Sequence, residues 1–342
     1  MTNPAAIEGN LVELMLEFFR TDNAIISYKA LSSNNNDREY VRFGRRGNEQ
    51  IPMVFKTVAD FIQANAIEPV EDTLHYEVMC NRLVREGLLF LMGYRNLGMF
   101  YLGQYVSHDY KIDIAEYGGY TMFMKGFKFI RDYFAESVVP IEIIYKNPKE
   151  FIGGQGTAFY IGKGRFVTAK HVIRDSRLFK LKVKGDVHRV NRIILDNNAN
   201  FDFAILEVSP SDVEGLPFLR LAEGQVLEEI IAMGYPRINN VKGDPLITSS
   251  GQIVGTSEVS NRSSMHIVNC KIKGGHSGGP IVNRFGQAVG IITNDELSDN
   301  QEASFGLTIP VNKLTSLLKS RDRVERNVQK EDEWNKVDIG IY

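Results

Sequence analysis

The chain has 342 residues, 43% hydrophobic and 24% charged, which is enough apolar material for two cores of ordinary size. Its 40 Lys and Arg against 42 Asp and Glu give a formal net charge of −2, which argues against a basic nucleic-acid or membrane-surface footprint. The two cysteines, Cys80 and Cys270, exclude a framework of several disulfides. Two buried, reduced thiols fit a reducing compartment, with a single bridge between them as the alternative.

The N-terminus, MTNPAAIEGNLVELMLEFFR, has no basic segment followed by an apolar one, so no signal peptide is expected. No run reaches the roughly 18 apolar residues of a membrane span. A cytoplasmic protein without membrane contact is therefore expected. In residues 5–20, Ile7, Leu11, Leu14, Met15, Phe18 and Phe19 recur at spacings of three and four, which predicts an amphipathic helix. Thr21-Asp22-Asn23 breaks it, and the polar, Gly-rich residues 31–50 read as a loop. Val54, Phe55, Val58, Phe61 and Ile62 predict a second helix over 50–65, and a third is expected over 71–91. Residues 99–124, broken at Gly118-Gly119, read as a β-hairpin, and Phe127–Phe134 as a closing helix. Residues 1–135 thus form a mainly helical recognition or regulatory domain of winged-helix-like character.

From about residue 136 the pattern changes. Short apolar stretches (SVVPIEIIY, GTAFYIG, RFVTAKHVI, DFAILEV, IIAMGYP, HIVNCKI, GPIVN, AVGIITN) alternate with Gly, Asn and Asp turns. Many short strands at such spacing predict an all-β barrel or sandwich over residues 136–320. Val311, Leu314, Leu317 and Leu318 predict a helix over 310–320, and residues 321–342 read as a charged tail or frayed helix.

Three strings carry chemistry. In Gly274-Gly275-His276-Ser277-Gly278-Gly279-Pro280, a serine sits among glycines. A serine hydroxyl is a poor nucleophile unless a base takes its proton and donors hold the resulting oxyanion. A glycine two residues before the serine lets its N–H and the serine N–H point at one spot. Taken alone, the string is equally a glycine-rich turn. In Phe166-Val167-Thr168-Ala169-Lys170-His171-Val172-Ile173, an apolar run ends in a histidine. In Phe201-Asp202-Phe203-Ala204-Ile205-Leu206, a carboxylate lies among apolar residues, where burial is costly unless it is paired. Each of these has a bland explanation by itself. The set runs His, Asp, Ser along the chain, separated by 31 and 75 residues, with room for several strands in each gap.

That order and these strings make the segment from about 137 to 320 resemble the trypsin-like serine proteases, especially the bacterial HtrA/Deg group. Thr168–Val172 is similar to the family's histidine motif, Asp202–Leu206 to its Asp motif and Gly275–Gly279 to its serine motif. Gly154–Phe159 resembles its Gly-rich second strand, Gly290–Thr293 the wall of its specificity pocket and Phe305–Pro310 the entry to its C-terminal helix. The resemblance implies a double six-stranded barrel of chymotrypsin type, with a catalytic triad of His171, Asp202 and Ser277 and an oxyanion hole of the Gly275 and Ser277 N–H groups. It implies a serine endopeptidase with protein or peptide substrates. The sequence shows no metal-ligand spacing and no phosphate-binding loop, so no metal or other cofactor is expected. No PDZ-like segment is read after the barrels.

Some positions depart from the family pattern. His276 stands where digestive relatives carry an Asp that pairs with a new N-terminus, and Phe151-Ile152-Gly153-Gly154 reads as a hairpin turn. Activation by N-terminal cleavage is therefore not expected. Control is assigned instead to the N-terminal domain or to an activating partner or ligand bound there. Lys170 precedes the histidine and offers a modest acidifying influence on it. Lys271, Ile272, Ile292 and Thr293 are the substrate-pocket candidates. Ile272 and Ile292 favour an apolar side chain, whereas an inward Lys271 would favour an acidic one. Two other functions stay open: a winged-helix-like nucleic-acid-binding regulator, for which Arg38, Arg42, Arg45, Arg46 and Lys56 give only a diluted basic cluster, and a catalytically silent scaffold.

Overall fold

The computed structural model describes residues 4–26, 40–46, 48–65, 67, 73–97, 100–107, 109–145, 154–174, 176–196, 201–236, 238, 241, 243–258, 264–293, 305–319 and 323–327. The chain divides into two compact units, Met1–Met124 and Lys125–Tyr342. Among the described residues no helix is long and apolar enough to cross a membrane.

The first unit begins with α1 (Pro4–Phe18), broken at Asn10 (φ −129°), and a short α2 (Thr21–Ala24). An antiparallel hairpin follows, β1 (Val41–Arg46) and β2 (Glu49–Val54), with Val41 opposite Val54 and Arg46 opposite Glu49. Then come β3 (Lys56–Thr57), α3 (Val58–Ala64), α4 (Thr73–Arg85), β4 (Phe90–Leu97), β5 (Phe100–Val106) and α5 (Ile112–Ala115). The last helix, α6 (Gly119–Tyr133), runs across the division between the units and is broken at Gly126 (φ +78°). The sheet order is β3-β5-β4, with α3 and α4 lying in sequence between β3 and β4.

Local chemistry explains where these elements differ from the sequence expectation. The helix expected over 50–65 starts only at Val58. Thr57 and Asp60 form a reciprocal capping box there: the Thr57 N–H donates to Asp60 Oδ2 at 2.7 Å, and the Asp60 N–H to Thr57 Oγ1 at 3.4 Å. The preceding Glu49–Val54 pairs with β1 instead. The helix expected over 71–91 ends at Arg85, where Gly87 takes a left-handed conformation (φ +74°) and the Leu88 N–H returns to Leu83 O at 2.9 Å. The ribbon therefore lies at 90–106 rather than 99–124, and Gly119 opens a helix directly after a turn that ends at Gly118 (φ +79°).

An aromatic core holds this unit. Phe19, Phe61 and Tyr105 are almost fully buried, with Phe61 edge-on to Tyr76 at 5.7 Å and Phe19 edge-on to Tyr105 at 5.6 Å. Two acidic side chains serve as acceptors within it. Glu13 receives the Thr121 N–H at 2.7 Å and the Thr121 hydroxyl at 2.5 Å, at the start of α6. Glu77 receives the Gly103 N–H at 3.0 Å and the Tyr105 hydroxyl at 2.7 Å. Burial and then this carboxylate push the Tyr105 phenol well above its ordinary range.

The second unit is built from two sheets. The first comprises β6 (Val138–Tyr145), β7 (Gly154–Tyr160), β8 (Arg165–Thr168), β9 (Ser176–Val183), β10 (Asp186–His188), β11 (Arg192–Asp196), β12 (Ala204–Glu207) and β20 (Arg323–Asn327). A short α7 (Lys170–Arg174) follows β8. The strand order β10-β9-β6-β7-β8-β12-β11-β20 places six central strands between β10 and β20. The second sheet comprises β13 (Arg220–Leu221), β14 (Glu229–Gly234), β15 (Ile247–Glu258), β16 (Ser264–Val268), β17 (Pro280–Asn283), β18 (Gln287–Ile292) and β19 (Gly306–Pro310). Its order is β13-β18-β17-β14-β15-β16-β19, and an added β18–β19 pairing closes six of these strands into a ring. Strands such as β17 and β18 are buried almost throughout, which is why they read as continuous apolar runs rather than alternating ones. One core gathers Ile141, Phe166, Leu181 and Leu206, and the other Ile230, Ile253, Ile281 and Val289.

The helix α8 (Val311–Lys319) closes the second barrel, with Val311, Leu314 and Leu317 buried. The segment after it corrects the sequence reading of a charged tail. Arg323–Asn327 is the strand β20, antiparallel to β11, with Arg323 opposite Asp196 and Asn327 opposite Arg192. Its charged residues conceal it because strand pairing needs backbone, not apolar side chains. Arg192 serves both neighbours, donating to Glu207 Oε2 at 2.6 Å and to Glu325 Oε2 at 2.6 Å.

Candidate active site

Asp202 organises the first half of the site. It lies just before β12, and its backbone carbonyl accepts the Lys170 N–H at 3.1 Å. Its Oδ1 accepts the His171 backbone N–H at 2.8 Å, and its Oδ2 lies 2.5 Å from His171 Nδ1. The Thr293 hydroxyl donates to the same Oδ2 at 2.5 Å. The side chains of His171 and Asp202 keep 30% and 21% of their exposure, so the pair sits at the edge of the barrel and not in its core.

Burial is the largest single influence on Asp202 and pushes its carboxyl up. The bonds and charge of His171, the Thr293 hydroxyl and the His171 N–H together outweigh burial and hold the carboxyl below its ordinary value. An ionised carboxylate only accepts hydrogen bonds. The proton on Nδ1 is therefore fixed, and Nε2 is left with its lone pair free to act as a base.

The second half is a loop shaped by glycine. Gly275 has φ +100° and Gly278 φ +87°, conformations that side-chain-bearing residues rarely adopt. A Cβ on Gly275 would also lie 2.5 Å from the Tyr235 carbonyl oxygen, and one on Gly278 would lie 2.7 Å from the Ala169 nitrogen. Ser277 stands between them. The His276 N–H donates to Lys273 O at 3.0 Å, the Gly278 N–H to Ile292 O at 2.7 Å and the Gly279 N–H to His276 O at 2.8 Å. Among the described residues, the N–H groups of Gly275 and Ser277 donate to no acceptor. Two donors two residues apart, beside a serine hydroxyl, can receive a developing oxyanion.

The remaining sequence candidates occupy different environments. Ile292 is fully buried in the second barrel core, and Ile272 is half-buried against the same core. Lys271 is exposed and donates its N–H to Ser249 Oγ at 2.9 Å. The Thr293 side chain, assigned to the pocket wall, is committed to Asp202. Its position after the strand Gln287–Ile292 was legible, but no local pattern reveals that its hydroxyl turns toward a carboxylate 91 residues away. His276 is buried beside the serine, with Nδ1 3.2 Å from the Lys273 N–H nitrogen. Lys170 is half-buried at the start of α7. Phe151, Ile152 and Gly153 lie outside the described residues, and Gly154 opens β7.

The buried thiols are chemically quiet. Cys80 and Cys270 are both free, and burial lifts the Cys270 thiol to about 11 and the Cys80 thiol further still.

Residues 156–291 match the family model described as trypsin-like peptidase domain. Protease Do-like 2, chloroplastic, from Arabidopsis thaliana is 27% identical over 175 residues, covering 49% of this chain and 28% of that protein. Uncharacterized protein y4bJ of Sinorhizobium fredii is 26% identical over 140 residues, covering 41% of this chain and 22% of that protein. The chain thus spans less than a third of the length of these relatives. Among solved structures, the active form of the Rv3671c protease from M. tuberculosis overlaps with a TM-score of 0.47 at 19% identity, covering 58% of this chain and 86% of that one. The HtrA-type protease AlgW with tripeptide overlaps with a TM-score of 0.44 at 17% identity, covering 56% of this chain and 62% of that one. Residues 156–291, which span strands of both sheets of the second unit, are thus similar to a trypsin-like peptidase domain.

Proposed function

We propose that this chain is a serine endopeptidase acting through an acyl-enzyme on Ser277. Ser277 Oγ attacks the scissile carbonyl carbon while His171 Nε2 takes its proton. The carbonyl oxygen becomes an oxyanion held by the Gly275 and Ser277 N–H groups. His171 then passes the proton to the leaving amine, and water, activated by the same nitrogen, releases the acyl group. Asp202 stabilises the imidazolium and keeps its ring oriented. The observation that carries this proposal is the Asp202 carboxylate bonded to both the backbone and the ring of His171. In the same unit lies a serine loop with two uncommitted N–H groups.

A fluorophosphonate probe tests it. Covalent labelling of the full chain at Ser277, lost in Ser277→Ala, is the expected outcome. An unlabelled wild-type chain would support the catalytically silent scaffold instead. An apolar residue at the cleaved position is proposed on the strength of Ile272 at the loop edge and Lys271 exposed to solvent. A peptide library cleaved only after acidic residues would overturn that preference.

The first unit is proposed to be the recognition or regulatory module, answering to a partner or ligand of its own. The β3-β5-β4 order with two helices before β4 supports a winged-helix-like reading. Nucleic acid is the less favoured occupant, since the outward face of α4 opens with Leu74 and Val78, 74% and 57% exposed. Equal labelling rates for the full chain and for residues 125–342 would remove an activating role. A cytoplasmic location is part of the same proposal, supported by two buried reduced thiols in place of a disulfide.

A further inference from the structure

Thr157 lies on β7, fully buried, and the chemistry above gives it no part. Its hydroxyl donates to the Gly275 carbonyl at 2.7 Å and accepts the Tyr235 N–H at 3.0 Å. Its own N–H donates to the Ser277 carbonyl at 2.9 Å. Its carbonyl accepts the Thr168 hydroxyl at 2.7 Å, three residues before His171 on the chain. One residue of the first barrel therefore grips the serine loop at two carbonyls on either side of His276. It is tied in turn to the strand that leads to the histidine.

A peptide group is planar, so holding a carbonyl also fixes the N–H that shares its plane. The Gly275 carbonyl shares a plane with the His276 N–H, which donates to Lys273 O. The Ser277 carbonyl shares a plane with the Gly278 N–H, which donates to Ile292 O. With these two peptides fastened, the N–H groups of Gly275 and Ser277 are the ones left open. The weak point is Gly275, because glycine passes readily between backbone conformations. Its carbonyl has the Thr157 hydroxyl as its fastening, a bond that no backbone ladder replaces.

We propose that Thr157 is a positioning residue for the oxyanion hole: its hydroxyl selects the Gly275 conformation in which the Gly275 and Ser277 N–H groups face the same spot. This rests on the serine-peptidase proposal and specifies what keeps the oxyanion donors aligned. It differs from a packing role in what it predicts. A hydroxyl acting through the oxyanion donors changes the rate of the chemical step at each active site. Packing changes how many sites are folded.

The test is the kinetics of fluorophosphonate labelling of the full chain, separated into the binding constant of the probe and the maximal rate of bond formation at Ser277. The phosphonyl oxygen takes the place of the oxyanion, so the maximal rate reads the hole directly. Thr157→Val should lower that rate about 10- to 100-fold. Probe binding should change by less than ~3-fold, and the fraction of chains labelled at saturation should stay full. Thr157→Ser, which keeps the hydroxyl, should recover the rate to within ~3-fold of wild type. If Val disturbs folding, Thr157→Ala against Thr157→Ser makes the same comparison on the labelled fraction alone. An unlabelled wild-type chain would sink the peptidase proposal and this one together. A labelled wild type with equal maximal rates in the Ser variant and the hydroxyl-free variant would overturn the role of Thr157 and leave the peptidase intact.

Discussion

The two halves of the site are held by different physics. His171 is positioned by charge: one carboxylate accepts its backbone N–H and pairs with its ring. Ser277 is positioned by shape. Glycines at φ +100° and +87° flank it, and its neighbours are tied by backbone hydrogen bonds. The first half should answer to protonation and to loss of hydrogen-bond donors. The second should answer to a single added methyl group.

The largest effect is expected on the shape-held half. Gly278→Ala places a Cβ against the Thr157 carbonyl, the Thr168 hydroxyl and the Ala169 nitrogen, at a positive φ. Loss of measurable probe labelling and a destabilisation of about 3–5 kcal/mol in urea unfolding are expected. Retained labelling would mean that the loop tolerates another shape, and the contrast between the halves would fail.

Next comes the charge-held half. Asp202→Asn preserves size but lets the ring adopt the wrong tautomer, so a roughly 10⁴-fold fall in labelling rate is expected with little change in fold. The same carboxyl predicts a pH dependence of stability. In the unfolded chain it titrates near the ordinary ~3.9, and in the folded protein lower. Its stabilisation is therefore complete above about pH 5 and is lost as pH falls through the folded value. Urea midpoints measured from pH 7 to 3 should decline more steeply for wild type than for Asp202→Asn. Parallel curves would show that the carboxylate gains nothing from its partners.

Thr293→Val sharpens the comparison within that half. It removes one donor from Asp202 Oδ2 and leaves the His171 bonds in place. A fall in labelling rate of about 10-fold and a shallower acid decline of stability than in wild type are expected, because a carboxyl with one donor fewer titrates closer to its unfolded value, consistent with ~1.5–3 kcal/mol for a hydrogen bond to a charged acceptor. The smallest effect belongs to a charge that touches none of the site residues. Glu325→Gln removes an edge ion pair with Arg192, whose Glu207 bond remains. A change under ~1 kcal/mol in unfolding free energy, with unchanged labelling, is expected.

The halves also differ in how legible they were. Serine among glycines, and an acid and a histidine each beside an apolar strand, stand out because the chemistry demands those residue types. Thr157 and Thr293 do not, since a threonine in a strand is ordinary and its partners lie 118 and 91 residues away. An all-β barrel or sandwich was readable from many short apolar runs, and its doubling only from the resemblance carried by the His, Asp and Ser strings. The first unit was harder. Val54 and Phe55 fit the helical spacing of Val58, Phe61 and Ile62, yet the capping box at Thr57 and Asp60 starts the helix at Val58. Strand β20 was hidden for a related reason: RVERN has no apolar alternation, and what makes it a strand is the edge of β11 far back in the sequence.

That edge has a consequence for synthesis. A ribosome makes the first barrel's strands up to Glu207 long before it reaches Arg323. Until Asn327 has emerged, Arg192–Asp196 presents its outer N–H and C=O groups without the partner that later covers them. The nascent barrel thus carries an open template for foreign strands throughout translation of the second barrel. The few charged residues after α8 seal it last, as a clasp applied once both barrels exist.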